Sequence, residues 1–70
     1  MYKRQSEATA LGIVKEYRAR LRPLIEDQEK RFAAVNAIVS LGLAQIIDER
    51  GPEAARAEAD RIFSELTQNG

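Results

Sequence analysis

Residues Phe32 to Ile47 form a continuous run without a charged side chain, although 31% of the whole chain is charged. The run is almost entirely Ala, Val, Ile, Leu and Gly, and its only polar side chains belong to Asn36, Ser40 and Gln45. Because apolar surface gains free energy when it leaves water, a helix built from such a run has to be covered on most of its sides. The run therefore constrains the architecture more than any other feature of the sequence.

The length of the chain, 70 residues, allows one domain with a small core. A core of this size rarely supplies more than about 3–5 kcal/mol without disulfides, a metal or oligomerisation. Cys and His are both absent, so no disulfide can form and no thiolate or imidazole can bind a metal. We expect residues 1–70 to form one small helical domain without metal or cofactor. The absence of an N-terminal apolar signal segment and of Cys predicts a cytoplasmic protein.

The first five residues, MYKRQ, differ from the rest of the chain. A GTG start codon followed by TAT AAG AGA CAG would encode this string, and that DNA resembles the end of a transposase sequencing adapter. In this interpretation residues 1–5 are non-native or disordered, and the native sequence starts near Ser6. The chain would then be a fragment if the natural protein extends further upstream.

Helix-forming residues predict an all-α fold, because the chain contains eleven Ala with many Glu, Arg, Leu and Gln, and no alternation of period two. Gly51-Pro52 is the clearest break, since Gly suits the end of a helix and Pro suits the first turn of the next one. A return helix from Pro52 to about Thr67 follows. Its predicted core stripe consists of Ala55, Ala59, Ile62, Phe63 and Leu66.

Two arrangements are compatible with Arg22-Pro23. Pro disfavours helical geometry at the preceding residue, yet the flanking sequence RARLRPLIED contains no Gly, Asn or Ser to build a reversal. The favoured arrangement is a helical hairpin, in which one long helix from about residue 6 to 49 is kinked near Pro23. The alternative is a three-helix bundle with helices 6–21, 23–49 and 52–67.

The favoured arrangement depends on a coiled-coil heptad pattern in which large apolar side chains occupy most of the successive a and d positions. These positions are Leu11, Val14, Arg18, Leu21, Ile25, Gln28, Phe32, Val35, Val39, Gly42 and Ile46. The return helix would cover only the C-terminal half of the long helix. The N-terminal half would therefore carry an apolar seam that nothing else in the chain covers.

A helical wheel divides the uncharged run into three surfaces. Large side chains form the face that we expect to pack on the return helix: Phe32, Val35, Val39, Leu43, Ile46 and Ile47. Ile38 and Leu41 lie on the far side with Ala34, and the small side chains of Ala33, Ala37, Ser40 and Ala44 form a separate stripe. One return helix of about fifteen residues cannot cover all three surfaces.

Asn36 falls inside the large apolar face of this wheel. A polar group there costs stability unless it is paired, and such residues can fix the register or oligomeric state of a helical assembly. The alternative is that Asn36 bonds to a neighbouring backbone carbonyl. Both interpretations stay open at the level of the sequence.

The uncovered surfaces predict a non-enzymatic assembly or adaptor module that acts through protein–protein contacts. Self-association into an antiparallel homodimer would cover them, as would docking onto a larger protein partner. The predicted interface residues are Leu11, Val14, Leu21, Leu24, Ile25, Ala33, Asn36, Ala37, Ile38, Ser40, Leu41 and Ala44.

Catalysis has little support in the sequence, so we expect no enzymatic activity and no catalytic residue. Without His and Cys, acid–base chemistry would fall on Asp, Glu, Lys or Tyr held in a pocket, and a short helical chain has little room for one. The helix-surface carboxylates next to Lys and Arg are best interpreted as solvated ion-pair partners. No Gly-rich phosphate loop is present.

Two further partner classes are compatible with the sequence. A small nucleic-acid-associated regulator is the first alternative, since a basic helix face offers candidate phosphate contacts at Lys15, Arg18, Arg20 and Arg22. The overall balance of eleven basic and eleven acidic residues argues against strong nucleic-acid attraction. A short membrane-interacting helix is the second, but sixteen residues span only about 24 Å and include polar side chains.

Overall fold

A computed structural model of the chain describes residues 5–68, of which 84% are helical and none is in a strand. The helical segments are α1 (Gln5–Leu21), α2 (Gln28–Val39), α3 (Leu43–Arg50) and α4 (Pro52–Gln68). The predicted all-α fold class is therefore confirmed. Because α2 and α3 follow each other across a short turn within Gln28–Arg50, the described residues have the arrangement of three helices.

The first chain reversal lies between α1 and α2. The helix α1 ends at Leu21, whose carbonyl accepts hydrogen bonds from the backbone N–H groups of Leu24 at 3.0 Å and Ile25 at 2.9 Å. Arg22 and Pro23 lie in this turn. The long helix kinked near Pro23 is not found, and the alternative with a separate first helix describes the arrangement.

Asp27 is the residue that starts α2. Its backbone is extended, with φ −69° and ψ 119°, and its Oδ1 accepts hydrogen bonds from the backbone N–H groups of Glu29 at 2.9 Å and Lys30 at 3.2 Å. Such an N-cap satisfies helix donors that have no partner inside the helix and typically contributes about 1 kcal/mol. The helix after the reversal at Pro23 is therefore started by an Asp four residues later.

The second break, at Ser40–Gly42, interrupts the uncharged run. Gly42 has φ 71° and ψ 52°, a left-handed conformation that costs other residues free energy. Its carbonyl accepts the N–H of Ile46 at 3.2 Å, which begins the first turn of α3. The prediction of one continuous helix through this region is corrected, because the glycine takes up a turn conformation there.

The third break lies at Gly51, as the sequence predicts. Gly51 has φ 95°, donates its N–H to the carbonyl of Ile47 at 2.9 Å, and is followed directly by Pro52 as the first residue of α4. The helices α3 and α4 pack together across this turn, and both also contact α1. The predicted tight connection and return helix are confirmed.

The core is small and lies where α1, α2, α3 and α4 meet. Its buried apolar side chains are Ile13, Tyr17, Leu21, Ala34, Ile38, Leu43, Ala55, Ala59 and Phe63. The predicted core stripe of α4 is confirmed, since Ala55, Ala59 and Phe63 are buried and the other two members pack against them. Three of the nine buried residues are Ala, so the apolar area that folding removes from water is limited.

The face of α2 that packs into the core is not the one that the helical wheel predicts. Ile38 is 1% exposed and Ala34 is 3% exposed, whereas Phe32 is 68% exposed and Val39 is 51% exposed. The wheel treats α4 as the only helix that covers the run. Because α1 also folds back onto α2, the core face is the side that lies towards both α1 and α4.

Candidate interaction surface

The predicted interface residues divide into exposed and enclosed positions. Leu11, Leu24, Ala33, Asn36 and Ser40 are exposed. Half-buried positions are Val14, Ile25, Ala37, Leu41 and Ala44. Leu21 and Ile38 are enclosed by the core of this chain, at 0% and 1% exposure, because α1 and α2 fold back on each other. In this arrangement those two side chains are not accessible to a partner.

The helices α1 and α2 run antiparallel. Gln28 and Arg31 near the start of α2 lie beside Arg18 and Arg22 near the end of α1. At the opposite end of the pair, Val39 lies beside Leu11. Residues that are distant in sequence therefore meet along one side of the molecule.

An apolar stripe follows this α1–α2 side, and we define it by Leu11, Val14, Val35, Val39 and Phe32. At one end, a groove of about 280 Å³ between α1 and the α2–α3 turn is lined by Leu11, Val14 and Val39. At the other end, a groove of about 230 Å³ is lined by Phe32 and Val35 next to Arg18 and Arg31. Since Phe32, Val35 and Val39 recur at spacings of three and four, α2 presents them on one face.

A basic cleft adjoins the Phe32 end of the apolar stripe. Lys15, Arg18 and Arg22 come from one face of α1, and Arg31 comes from α2 on the opposite wall of a cleft of about 410 Å³. The half-buried Arg31 is held in place, since its Nη1 donates a hydrogen bond to the carbonyl of Ile25 at 2.9 Å. The sequence identified the three residues of α1 and missed Arg31, because only the chain reversal brings α2 alongside.

The cations of the basic cleft have no ion-pair partner in the described part of the chain. Within residues 5–68, no ion pair joins an Asp or Glu to Lys15, Arg18, Arg22 or Arg31. Like charges close together raise the electrostatic potential of a surface and attract anions. This local excess exists although the whole chain carries equal numbers of basic and acidic residues.

Arg20, the fourth candidate phosphate contact, lies on a different side of α1. Its guanidinium carbon is 4.9 Å from the centre of the Tyr17 ring and 4.5 Å from the centre of the Phe63 ring. The two rings are 5.4 Å apart and tilted by 58°. Arg20 therefore makes cation–π contacts where α1 meets α4, and it does not belong to the basic cleft.

The charges on the α1–α4 side are paired. Arg56 of α4 donates two hydrogen bonds to the carboxylate of Glu16, at 2.9 and 3.0 Å. Arg61 contacts Glu58 at 3.0 Å and Glu65 at 3.1 Å, and the hydrogen bond to Glu58 together with the charge of that carboxylate raises the pKa of the guanidinium. Arg61 thus pairs within its own helix, whereas Arg56 pairs with Glu16 of α1 and not with Asp60 one turn along α4.

Asp60 accepts a hydrogen bond from the Tyr17 hydroxyl at 3.3 Å. Burial of the phenol and, to a smaller extent, the negative charge of Asp60 raise the pKa of Tyr17 above its ordinary value of 10.0. The neutral phenol is therefore the form that this contact favours. Tyr17 lines neither of the two grooves at the apolar stripe. Its hydroxyl therefore has a structural role in the contact between α1 and α4.

Other kinds of site have little support in the described part of the chain. Within residues 5–68, no group of three or more Asp and Glu side chains is placed to hold a metal ion.

Asn36 is exposed, and its side chain makes no hydrogen bond to another described residue. Its placement at the edge of the apolar stripe is compatible with a contact to a partner and gives no support to a bond with a neighbouring carbonyl.

One segment, Gln28–Arg50, is long and apolar enough to cross a membrane by length and composition, with a mean hydropathy of 1.4 in its most apolar window. Core helices of soluble proteins pass the same test, so the finding is weak by itself. The turn at Ser40–Gly42 interrupts this segment, and Ile38 and Leu43 on its two sides are in the core.

No protein-family model matches the chain, and neither a curated protein nor a solved structure is similar enough to count as a match. The function is therefore inferred from the surface that this fold creates. That surface has two neighbouring parts, the apolar stripe and the basic cleft.

Proposed function

We propose that the chain is a non-enzymatic assembly module that self-associates through the apolar stripe. The observation that carries the proposal is the exposure of large apolar side chains on one side of the molecule. Phe32 is 68% exposed, Val39 is 51% exposed and Leu11 is 47% exposed. Contiguous apolar surface of this kind on a small protein is typical of an interaction site.

The limited core gives a physical reason for association. Only nine apolar side chains are buried among the described residues, and three of them are Ala. Cys is absent, so a disulfide cannot supply the missing stability. Association would remove the apolar stripe from water. Because only the folded chain binds a partner in this way, association would stabilise the folded state relative to that of the isolated chain.

A second copy of the chain is the partner that this surface fits best. A two-fold symmetric interface uses the same patch on both molecules, so an apolar patch is complementary to itself. The basic cleft at one end of the stripe determines the orientation, since a parallel pair would bring two sets of unpaired cations together. We therefore expect an antiparallel dimer, in which the two clefts lie at opposite ends.

The required interface area is within reach of the chain. A stable interface of standard size buries roughly 800 Å² on each partner. The chain exposes 5201 Å² in total, so such an interface would take about 15% of its surface. The exposed members of the stripe, Leu11, Phe32 and Val39, would form the apolar part of that interface, and polar residues around them would supply the rest.

Sedimentation equilibrium of the full chain at micromolar concentrations tests the proposal. We expect a dimer for the unmodified chain and a monomer for the double variant Phe32→Ser with Val39→Ser, because the stripe would lose its two most exposed apolar side chains without gaining a charge that nearby cations could pair. Ala57→Ser is the matched control, since Ala57 is an exposed residue of α4 outside the stripe. It should leave the dimer intact.

Circular dichroism of each variant separates loss of association from loss of folding. If the double Ser variant unfolds, Phe32→Ser alone replaces it. A well-folded monomer of the unmodified chain with a cooperative melt would refute self-association. Leu24 provides a second check, because it is 58% exposed but lines neither groove of the stripe. Dissociation by Leu24→Glu, without dissociation by the stripe variants, would refute the stripe as the interface.

A further inference from the structure

The basic cleft lies next to the proposed dimer interface, and we propose that it binds the phosphate backbone of nucleic acid. The inference starts from the convergence of four cations from two helices. Lys15, Arg18 and Arg22 lie along α1, and Arg31 faces them from α2. If the basic face of α1 served only to contact solvent, it would not need a further cation opposite it on α2.

The unpaired state of these cations is the second step. On the α1–α4 side, the guanidinium groups of Arg56 and Arg61 contact carboxylates within 3.1 Å, and that of Arg20 lies over two aromatic rings. Lys30 and Arg50 also form no ion pair among residues 5–68, but neither of them lines the cleft. In the cleft, no Asp or Glu among residues 5–68 supplies such a partner. The mutual repulsion of the four cations is relieved when an anion binds between them.

The chemistry and spacing of the cleft favour a phosphate polymer. Three of the four cations are Arg, whose planar guanidinium donates two parallel hydrogen bonds to a phosphate. Residues 15, 18 and 22 extend over about 10 Å along the helix axis, given the rise of about 1.5 Å per residue. A row of this length fits several successive phosphates of a strand better than one isolated phosphate group.

The surroundings of the cleft favour nucleic acid over a lipid surface, a step that rests on the proposed dimer. A second copy on the apolar stripe would cover Phe32, and the residues that line the cleft besides the four cations are Ala19 and Gln28. These side chains offer nothing large and apolar to insert between lipids. They permit contacts to the backbone without selecting a base, so we expect binding that is independent of sequence.

Fluorescence anisotropy with a labelled 20-base-pair DNA duplex tests this inference. Each phosphate contact contributes about 0.9 to the slope of log K against log salt concentration, so four contacts give a slope of about −3.6 for each cleft. Between about 50 and 200 mM salt the affinity of one cleft should therefore fall about 100-fold. The variant Lys15→Gln with Arg22→Gln should reduce this fall to about 10-fold and weaken binding at low salt, and it leaves Arg18 of the Phe32 groove unchanged.

The matched control is Arg56→Gln with Arg61→Gln. It removes the same number of positive charges from cations that already contact carboxylates. Arg31 is left unchanged, because its hydrogen bond to the carbonyl of Ile25 also supports the turn before α2. Circular dichroism confirms folding, and sedimentation equilibrium should give a dimer for both double variants. A change in DNA binding can then be assigned to the cleft and not to dissociation.

Three results would overturn the inference. The first is absence of duplex binding at low salt. The second is an equal loss of affinity in the cleft variant and in the control, which would indicate attraction by net charge alone. The third is binding to vesicles of phosphatidylcholine and phosphatidylserine without binding to DNA, which would assign the cleft to a membrane surface. Failure of the dimer with DNA binding intact would refute only the proposed function and the step that depends on it.

Discussion

The two sides of α1 differ in how far their interactions are completed within the chain. On the side towards α4, Tyr17 bonds to Asp60, Glu16 pairs with Arg56, and Arg20 covers the aromatic rings. On the side towards α2, apolar side chains and cations face solvent. One helix thus carries a surface whose groups have partners and a surface whose groups lack them.

In this small fold, specific side-chain pairs are concentrated where elements distant in sequence pack together. The α1–α4 contact joins elements distant in sequence, and side-chain pairs fix how they pack. The α1–α2 contact follows a short turn, so the connection itself keeps the helices adjacent. The α1–α2 side therefore needs fewer side-chain pairs to keep its helices together, which leaves room for the interface that we propose there.

The largest expected change in the free energy of unfolding comes from a comparison of two consecutive residues of α2. Ile38 is 1% exposed and Val39 is 51% exposed, although both are β-branched and apolar. Ile38→Ala should lower the free energy of unfolding by about 2–4 kcal/mol, because it leaves a cavity, whereas Val39→Ala should cost less than about 0.5 kcal/mol. Urea denaturation followed by circular dichroism, at a concentration where the chain is monomeric, measures both.

A loss of 2–4 kcal/mol can unfold a chain of this size, so Ile38→Val provides a milder variant. It should cost about 0.5–1.5 kcal/mol. Equal costs for the two positions would mean that α2 does not present the Ile38 face to the core. A larger cost at Val39 would restore the packing that the helical wheel predicts.

This pair of residues also illustrates what sequence reasoning can reach. The all-α class, the break at Gly51-Pro52 and the core stripe of α4 follow from local signals, since composition, turn residues and helical spacing act within one element. The core face of α2 does not, because it depends on which other helices pack against it. Once α1 folds back, the side with Ala34 and Ile38 turns inwards and Phe32 stays exposed.

One local signal for that fold was available in the sequence. Asp27 stands directly before α2 and caps it, and an Asp that follows a Pro and precedes a helix-forming segment is a recognisable start signal. The reversal near Pro23 could have been predicted from it. The basic cleft required the same step, because Arg31 joins the three cations of α1 only after the reversal.

The next largest effect concerns Tyr17, which lies on the α1–α4 side. Tyr17→Phe should lower the free energy of unfolding by about 0.5–1 kcal/mol, in the lower part of the range for hydrogen bonds, because this bond is 3.3 Å long and only partly buried. The raised pKa of Tyr17 also predicts a dependence on pH. Because the folded state favours the neutral phenol, this stabilisation is fully present below pH 10.0, the ordinary pKa, and is lost as pH rises through the higher pKa of the folded state.

Ultraviolet absorbance at alkaline pH reports the tyrosinate, and Tyr2→Phe removes the signal of the other tyrosine. Asp60→Asn removes the charge and keeps a hydrogen-bond acceptor, so it should lower the pKa of Tyr17 only partly, since burial is the larger cause. Titration of Tyr17 at or below its ordinary pKa would show that the α1–α4 side is no more enclosed than the α1–α2 side.

The smallest effect concerns the ion pair between Glu16 and Arg56. The two side chains are about half exposed, at 42% and 51%, so water and salt screen their attraction. A double-mutant cycle with Glu16→Gln and Arg56→Gln should give a coupling free energy of about 0.2–1 kcal/mol that decreases with added salt. The same cycle with Glu16 and Lys15→Gln is the control and should give no coupling, since adjacent residues of a helix do not face each other. Coupling of several kcal/mol would mean that ion pairs, and not the packing of Tyr17 and Phe63, hold α1 against α4.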